Sequence, residues 1–288
     1  MLEQEIGPFA TAFHRVWLAT LLLGLWNGLR YLSSQLVSDR SGDRFGQSYS
    51  YNRLILGQCF IAGISFAGNQ LLLAWSLTQT SITNSTILTN MTPIWTILLS
   101  WLIWKKKFDN IFLIGMGIAT IGACLIGIED WQIDAGNLQG DSVAILASFF
   151  NSTYLLSIES VRSHLSARAI LLWISALSTL AILPVALIAE TQLFPHSLSG
   201  WILAILLGLI CQILGSGMVS YCLKYISSGL FSLAKLLIPL INTFLAFIFF
   251  SEILSFANYV AFTIILVGIY IAQSSSSAWL TIDPKNLG

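Results

Sequence analysis

Residues 82–107 read ITNSTILTNMTPIWTILLSWLIWKKK, and this stretch decides the fold. It is long and mostly apolar, it carries Pro93 near its centre, and it ends in three lysines. About 20 predominantly apolar residues are enough for an α-helix to cross the hydrocarbon core of a bilayer. The stretch therefore predicts a transmembrane helix that is kinked at its proline and followed by a charged turn.

The composition of the whole chain also indicates a membrane environment. Of its 288 residues, 56% are hydrophobic, 13 are basic and 13 are acidic, and the mean hydropathy is +0.81. A water-soluble domain would carry about a quarter charged residues. A formal net charge of zero, with no basic stripe, argues against a nucleic-acid partner. We therefore predict that the lipid bilayer surrounds most of this chain.

Similar apolar runs recur along the chain and predict an all-α polytopic membrane protein with nine transmembrane helices. The runs leave no room for a soluble catalytic domain, so we predict no catalytic residues. The nine runs lie at residues 8–29, 54–77, 82–104, 110–128, 142–159, 168–189, 201–223, 229–250 and 254–273.

The basic residues predict the orientation of these spans, because cytoplasmic loops carry an excess of Lys and Arg. All of the 13 except Arg15 and Lys235 fall at the odd-numbered connections or in the C-terminal tail. Lys105 to Lys107 and the arginines of the first loop are thus expected to set topology, with a partner site as the alternative. We predict an extracytoplasmic N-terminus, a cytoplasmic C-terminus and location in the plasma membrane.

The second half of the chain repeats the first. A shift of 146 residues superposes Ser81 on Ser227 and Pro93 on Pro239, with no gap across the matched stretch. The charge pattern makes the two proline-bearing spans cross the membrane in opposite directions, so the repeat is inverted. Inverted repeats of this kind are typical of alternating-access transporters.

Each half contains a short loop, a helix with a central proline, a charged turn and a closing helix that contains glycine. The first half has SITNSTILTNMTPIWTILLSWLIWKKKF at 81–108 and IGMGIATIGACLIG at 114–127. The second half has YCLKYISSGLFSLAKLLIPLINTFLAFIFFSEILSFANYVAFTIILVGIYI at 221–271. This pattern resembles the EamA-type transporters of the drug/metabolite transporter superfamily over nearly the whole chain.

The resemblance implies two repeats of five helices, whereas only four apolar runs precede residue 128. We therefore assign residues 1–128 to a first repeat that lacks its first helix and 141–273 to a complete second repeat. Residues 274–288 are assigned to a cytoplasmic tail. On this interpretation Met1 is an internal start or the chain is truncated.

The function implied by the resemblance is secondary transport of a small metabolite, with export as the expected direction. The sequence contains no GxxxxGK[ST] motif, so we expect a gradient or exchange to drive transport, without a cofactor. The four cysteines lack metal-ligand spacing, and no metal site is expected. A homodimer is an open alternative.

Two other functions remain open at this point. A non-transporting scaffold or an inactive truncated transporter would agree with the missing helix. An intramembrane enzyme is the weaker alternative, because all three histidines precede Ser216, the serine that stands between two glycines, and no base is suitably spaced.

Polar side chains inside the spans predict where a substrate would bind, because such groups are costly in hydrocarbon and usually face a cavity or another helix. Lys235 and Arg15 could each attract a carboxylate or a phosphate. The alternatives are a lysine paired within the bundle, for instance with Glu159, and an arginine that snorkels to the interface. The uncharged candidates for the same cavity are Asn69, Asn84, Thr89, Thr92 and Asn242.

Pro93 and Pro239 are predicted helix kinks. Each lacks an amide hydrogen and so frees a carbonyl one turn earlier, near Thr89 and Lys235. Such a kink either lines the transport pathway or is packed within the bundle. Five glycines are expected instead to allow close packing of helices. They are Gly115, Gly117, Gly122, Gly215 and Gly217.

Overall fold

The computed structural model of the protein describes residues 5–38, 53–128, 138–250 and 256–279. These ranges are helical and contain no strand, which confirms the predicted all-α class. Within them, six helices are long and apolar enough to cross a membrane, and three shorter apolar helices accompany them. The nine apolar runs of the sequence correspond to these helices.

Helices are numbered here in chain order, with one π-helix between α8 and α9. In a bilayer a helix satisfies its own backbone polar groups, which explains why apolar sequence of this length is helical throughout. The bounds are α1 Pro8–Ser38, α2 Arg53–Gln79, α3 Ile82–Thr89, α4 Thr92–Trp104, α5 Asn110–Ile128, α6 Leu138–Val161, α7 Ala167–Ala189, α8 Leu198–Leu206, the π-helix Leu207–Ser216, α9 Gly217–Cys222, α10 Ser228–Ala234, α11 Leu237–Phe250 and α12 Phe256–Gln273.

Serine side chains begin four of these helices. In each case the serine hydroxyl accepts a hydrogen bond from the amide three residues later, which satisfies a donor that the first turn leaves unpaired. Two of the caps, those of α3 and α10, are separated by the 146 residues of the sequence repeat. The capping serines are Ser81 for α3, Ser166 for α7, Ser197 for α8 and Ser227 for α10.

The chain divides into two compact units, and each takes helices from both halves of the sequence. Unit 1 is Met1–Ala67 with Val161–Tyr221, and unit 2 is Gly68–Ser160 with Cys222–Gly288. A compact unit is therefore not the same set of residues as a sequence repeat.

Unit 1 is built on an antiparallel contact between α1 and α7. Near the start of α1, the Phe9 amide donates to Glu190 Oε1 at 3.1 Å, just beyond the end of α7. Further along, Thr20 Oγ1 lies 3.3 Å from Thr179 Oγ1. Rising residue numbers in α1 thus meet falling numbers in α7, so the two helices run in opposite directions.

A ten-residue π-helix, Leu207–Ser216, follows α8 in unit 1. Its Gln212 is fully buried and donates from Nε2 to Ser175 Oγ on α7 at 3.2 Å. Ser216 Oγ donates in turn to Gln212 Oε1 at 3.4 Å. Nothing in the sequence marks Gln212 as a contact residue, yet its side chain connects the π-helix to α7.

Unit 2 is built on a second antiparallel pair, α5 and α12, which pack backbone against backbone. A Cβ atom on Gly115 would lie 2.4 Å from the Ala272 nitrogen, and one on Gly268 would lie 2.4 Å from the Ala119 nitrogen. The two helices begin 146 residues apart and are therefore equivalents in the repeat. Equivalent helices that cross in opposite directions are the arrangement that an inverted repeat requires.

The predicted packing role of the glycines is confirmed at some positions and wrong at others. Gly115 and Gly122 lie at the α5–α12 contact. A Cβ on Gly117 would meet no atom of the described residues within 4 Å, and at Gly215 and Gly217 the nearest atoms are at ordinary contact distance. Residues two apart point to nearly opposite sides of an α-helix, which explains why Gly117 faces away from the contact that Gly115 makes.

Candidate functional site

The first proline-bearing span is divided near its centre, and Asn90 and Met91, the two residues at the division, keep right-handed helical backbone angles. α3 ends at Thr89 and α4 begins at Thr92, so two residues interrupt the span. Because Pro93 has no amide hydrogen, the Thr89 carbonyl loses its usual donor. The Thr92 hydroxyl donates to this carbonyl at 2.7 Å and satisfies it.

The second proline-bearing span is interrupted at the equivalent point. α10 ends one residue before Lys235, and α11 begins two residues after it. Pro239 deprives the Lys235 carbonyl of its usual donor, and the Ile238 amide donates to that carbonyl instead, at 2.9 Å. A shift of 146 residues carries Thr89 onto Lys235, so both halves are interrupted at the same point of the repeat.

A cluster of polar side chains surrounds the start of α4. The Thr92 carbonyl accepts hydrogen bonds from Thr96 Oγ1 at 2.8 Å and from Ser152 Oγ at 3.1 Å. Asn151 Nδ2 donates to the Thr92 hydroxyl at 3.2 Å. These bonds join α4 to α6 beside the interruption. Thr92 is thus a member of a hydrogen-bonded network within unit 2.

Asn84 carries a buried acceptor that no described residue uses. The residue is only 4% exposed, and its Oδ1 atom has no hydrogen-bond partner in the part of the chain that the structure describes. A buried polar group without a partner costs about 1–3 kcal/mol. A donor from water or from a bound molecule would remove that cost.

The remaining uncharged candidates have different surroundings. Asn69 Nδ2 donates to the Ala147 carbonyl at 2.9 Å and so bridges α2 and α6. The Thr89 hydroxyl donates to the Thr86 carbonyl of its own helix at 2.9 Å. Asn242 belongs to α11, and its side chain lies outside the described part of the structure.

In unit 1, Arg15 and His14 are neighbours with different roles. The Arg15 side chain is half-buried, and its guanidinium carbon lies 5.7 Å from the ring centroid of Phe66, a cation–π distance. His14 is fully buried and both of its ring nitrogens are occupied. Nδ1 accepts from the Trp17 indole at 2.9 Å, so Nε2 donates to the Leu193 carbonyl at 2.8 Å. His14 therefore has a structural role.

Glu159 is a buried carboxylate whose partners the sequence analysis did not identify. Its side chain is 0% exposed, and Oε1 lies 3.6 Å from the Lys106 ammonium nitrogen. Oε2 accepts from the Ser228 amide at 2.8 Å, at the start of α10. From the sequence alone, Lys106 is expected to set topology with its neighbours, and Lys235 is the expected alternative partner of Glu159.

The three consecutive lysines are indistinguishable in sequence, which is why this pair was missed. Lys105 and Lys107 are exposed, whereas the Lys106 side chain is only 11% exposed. Burial lowers the pKa of the Lys106 ammonium, and the charge of Glu159 opposes that shift. The sequence does contain one indication of a buried ion pair, since Glu159 is an acidic residue inside an apolar run next to a basic loop.

Comparisons with known proteins give one family, one relative and one similar fold. The profile of the EamA-like transporter family matches residues 1–128 and 138–273. YetK of Bacillus subtilis strain 168, described as an uncharacterized transporter, is 23% identical over 224 residues, which cover 75% of this chain and 68% of YetK. A crystal structure of a protein that is 13% identical gives a TM-score of 0.75 and covers 95% of this chain and 91% of that one. The last likeness is one of fold alone.

Proposed function

Because the chain belongs to the EamA-like transporter family, we propose that it is a secondary transporter that exports a small metabolite. Transport is driven by a gradient or by exchange, and the two inverted repeats alternate the access of the substrate between the two sides of the plasma membrane.

The observation that supports this proposal most strongly is the matched interruption at Thr89 and Lys235. In transporters with inverted repeats, the substrate site typically lies at breaks in the helices of the two repeats. Here the freed carbonyls of Thr89 and Lys235 accept hydrogen bonds from the Thr92 hydroxyl and the Ile238 amide, so the side chains at the interruptions are the groups left to contact a substrate. Polar groups are tolerated at membrane depth only where protein, water or a substrate satisfies them. The unused acceptor of Asn84, in the helix that ends at Thr89, is consistent with such a site.

The side chains at these positions favour an anionic or zwitterionic substrate. Lys235 brings an ammonium group to the second interruption, where it can pair with a carboxylate or phosphate. Arg15 of unit 1 is the second candidate cation. The uncharged candidates for substrate contact are Asn69, Asn84, Thr89, Thr92 and Asn242.

A resistance screen tests the proposal. Cells that overexpress the wild-type chain are grown with inhibitory amounts of amino acids, organic acids or phosphorylated sugars. We expect increased tolerance to at least one such compound and loss of that tolerance in Lys235→Met, with equal amounts of protein in the membrane. Lys224→Met is the matched control, because Lys224 is an exposed lysine whose ammonium lies 5.6 Å from the Tyr225 ring centroid.

Two results would count against the proposal. No change in tolerance to any compound would contradict export of these metabolites. Full tolerance in Lys235→Met would remove Lys235 from the substrate site and leave the transport function itself standing.

A further inference from the structure

A cavity of about 300 Å³ lies in unit 1, where the C-terminal part of α1 meets the start of α7. Asn27 and Arg30 line it from α1, and Ser166, Arg168 and Trp173 line it from the cap and first turns of α7. None of the described residues that line this cavity is acidic. Its volume is at the lower end of the range for small-ligand sites, about 300–1,000 Å³.

The side chains around this cavity include the kinds of donor that bind a phosphate group. Each of the two guanidinium groups offers planar N–H donors that can bind two phosphate oxygens at once. The Ser166 hydroxyl accepts from the Ala169 amide at 3.3 Å, so its own hydrogen remains available for another acceptor. The Asn27 amide adds a further donor.

The position of the cavity along the spans also matters. Arg30 and Arg168 flank the first and fifth connections, both of which the charge pattern predicts to be cytoplasmic. Trp26 and Trp173 are exposed nearby, as is common for tryptophans at the headgroup level. The Arg30 guanidinium carbon lies 6.0 Å from the Trp26 ring centroid. Basic pockets between transmembrane helices on the cytoplasmic side are suited to phospholipid headgroups.

We propose that this cavity binds the phosphate group of an anionic ligand, and its location favours the headgroup of an anionic phospholipid. All of its lining residues belong to unit 1, whereas both helix interruptions belong to unit 2. The site is therefore additional to the proposed substrate site, and it does not depend on whether the chain transports a metabolite.

Lipid binding to the full chain, purified in detergent, tests this proposal. Dioleoylphosphatidylglycerol and dioleoylphosphatidylcholine are titrated separately, and native mass spectrometry measures the bound lipid. We expect the phosphatidylglycerol to bind more tightly to the wild type, and the variant Arg30→Gln/Arg168→Gln to bind it about tenfold more weakly or worse. The control Arg53→Gln/Lys224→Gln also removes two exposed cations, but from outside the cavity, and is expected to bind like the wild type.

A second experiment distinguishes a lipid headgroup from a free phosphate compound as the ligand. Glycerol 3-phosphate is added without lipid, and the thermal unfolding midpoint is measured. A rise in the wild type that is absent in the glutamine variant supports the site with a free phosphate compound as its ligand. Two results overturn the proposal when glycerol 3-phosphate also has no effect. One is that all variants bind phosphatidylglycerol equally well. The other is that the control variant loses as much binding as the glutamine variant.

A third variant keeps the proposal testable if the glutamine variant does not fold. Arg30→Lys/Arg168→Lys keeps both charges but loses the planar, bidentate geometry, so we expect weaker binding of the phosphatidylglycerol here as well. If the glutamine variant does not fold, wild-type affinity in the lysine variant overturns the proposal.

Discussion

Glu159 and Lys106 show how single residues hold distant segments of unit 2 together. The Glu159 carboxylate contacts the loop after α4 through Lys106 and the start of α10 through the Ser228 amide. A buried charge is tolerated only when it is paired and hydrogen-bonded. Because α10 leads directly to Lys235, this carboxylate also positions the second interruption.

Lys106→Gln should destabilise the protein far more than the same change at the next residue. It removes the Lys106 ammonium from the buried Glu159 carboxylate, and breaking a buried ion pair costs about 3–5 kcal/mol. Lys107 is exposed, so Lys107→Gln should change the free energy of unfolding by about 0.5 kcal/mol or less. Chemical unfolding in detergent micelles measures both, and equal effects would contradict the structural role of the pair.

Asp109, in the loop between α4 and α5, makes stability depend on pH. Hydrogen bonds from the Ser275 hydroxyl and the Phe112 amide lower the pKa of its carboxyl below the ordinary value of 3.8. At pH values between the folded and the unfolded pKa, the unfolded chain therefore binds more protons than the folded chain. The stabilisation by Asp109 is fully present above the unfolded pKa and is lost as the pH falls through the lowered folded pKa.

We expect Asp109→Asn to have a lower unfolding midpoint than the wild type at neutral pH, and this difference should shrink at acid pH. The midpoints of both proteins are measured from about pH 7 down to about pH 2, an interval that contains the unfolded pKa of about 3.9 and extends below it, where the stabilisation is lost. A difference between the two midpoints that stays constant across this interval would show that the Asp109 charge has no part in the effect.

At the scale of helices, apolar composition was enough to locate the spans, but the interruptions depend on finer detail. Pro93 and Pro239 predict a freed carbonyl. The donors that replace the missing amide are the Thr92 hydroxyl in one span and the Ile238 amide in the other, and a proline alone does not predict either of them. The π-helix Leu207–Ser216 has no comparable signal in the sequence, because it depends on how this segment packs in the folded unit.

The α5–α12 contact predicts different effects for two glycine-to-alanine substitutions. A methyl group on Gly268 would lie 2.4 Å from the Ala119 nitrogen, and a backbone atom cannot move aside by changing rotamer. Gly268→Ala should therefore destabilise unit 2 by about 1–3 kcal/mol, the usual effect of overpacking. Gly117→Ala should leave stability unchanged or raise it slightly, because a Cβ there meets nothing and alanine favours the helix.

Thermal unfolding in detergent compares the two alanine variants with the wild type. Equal stability of Gly268→Ala and Gly117→Ala would mean that α5 and α12 do not approach as closely as described.

At the scale of the whole molecule, the sequence predicts the inverted repeat through its 146-residue shift and its charge pattern. It does not predict the compact units, because a repeat shows which helices are equivalent and not which ones pack together. In unit 2, α5 packs on its equivalent α12. In unit 1, α1 packs on α7, which comes from the other half of the chain. This pairing distributes each half of the chain between the two units.

The predicted orientation is tested with reporter fusions after Lys107 and after Asp134. The charge pattern places the first position in the cytoplasm and the second outside it, because no basic residue lies in the fourth connection. A fluorescent protein should be active only at the first position and alkaline phosphatase only at the second. The same reporter active at both would contradict the inverted topology.

Transport by the purified protein in liposomes tests the central claim, a secondary transporter whose substrate binds at the interruption that carries Lys235. Liposomes are loaded with the compound found in the resistance screen, and entry of the labelled compound by exchange is followed without nucleotide. We predict exchange by the wild type and by Lys224→Met, and a rate lower by about tenfold or more in Lys235→Met, as expected for loss of a charge-assisted contact. Wild-type exchange no faster than in protein-free liposomes would contradict the claim.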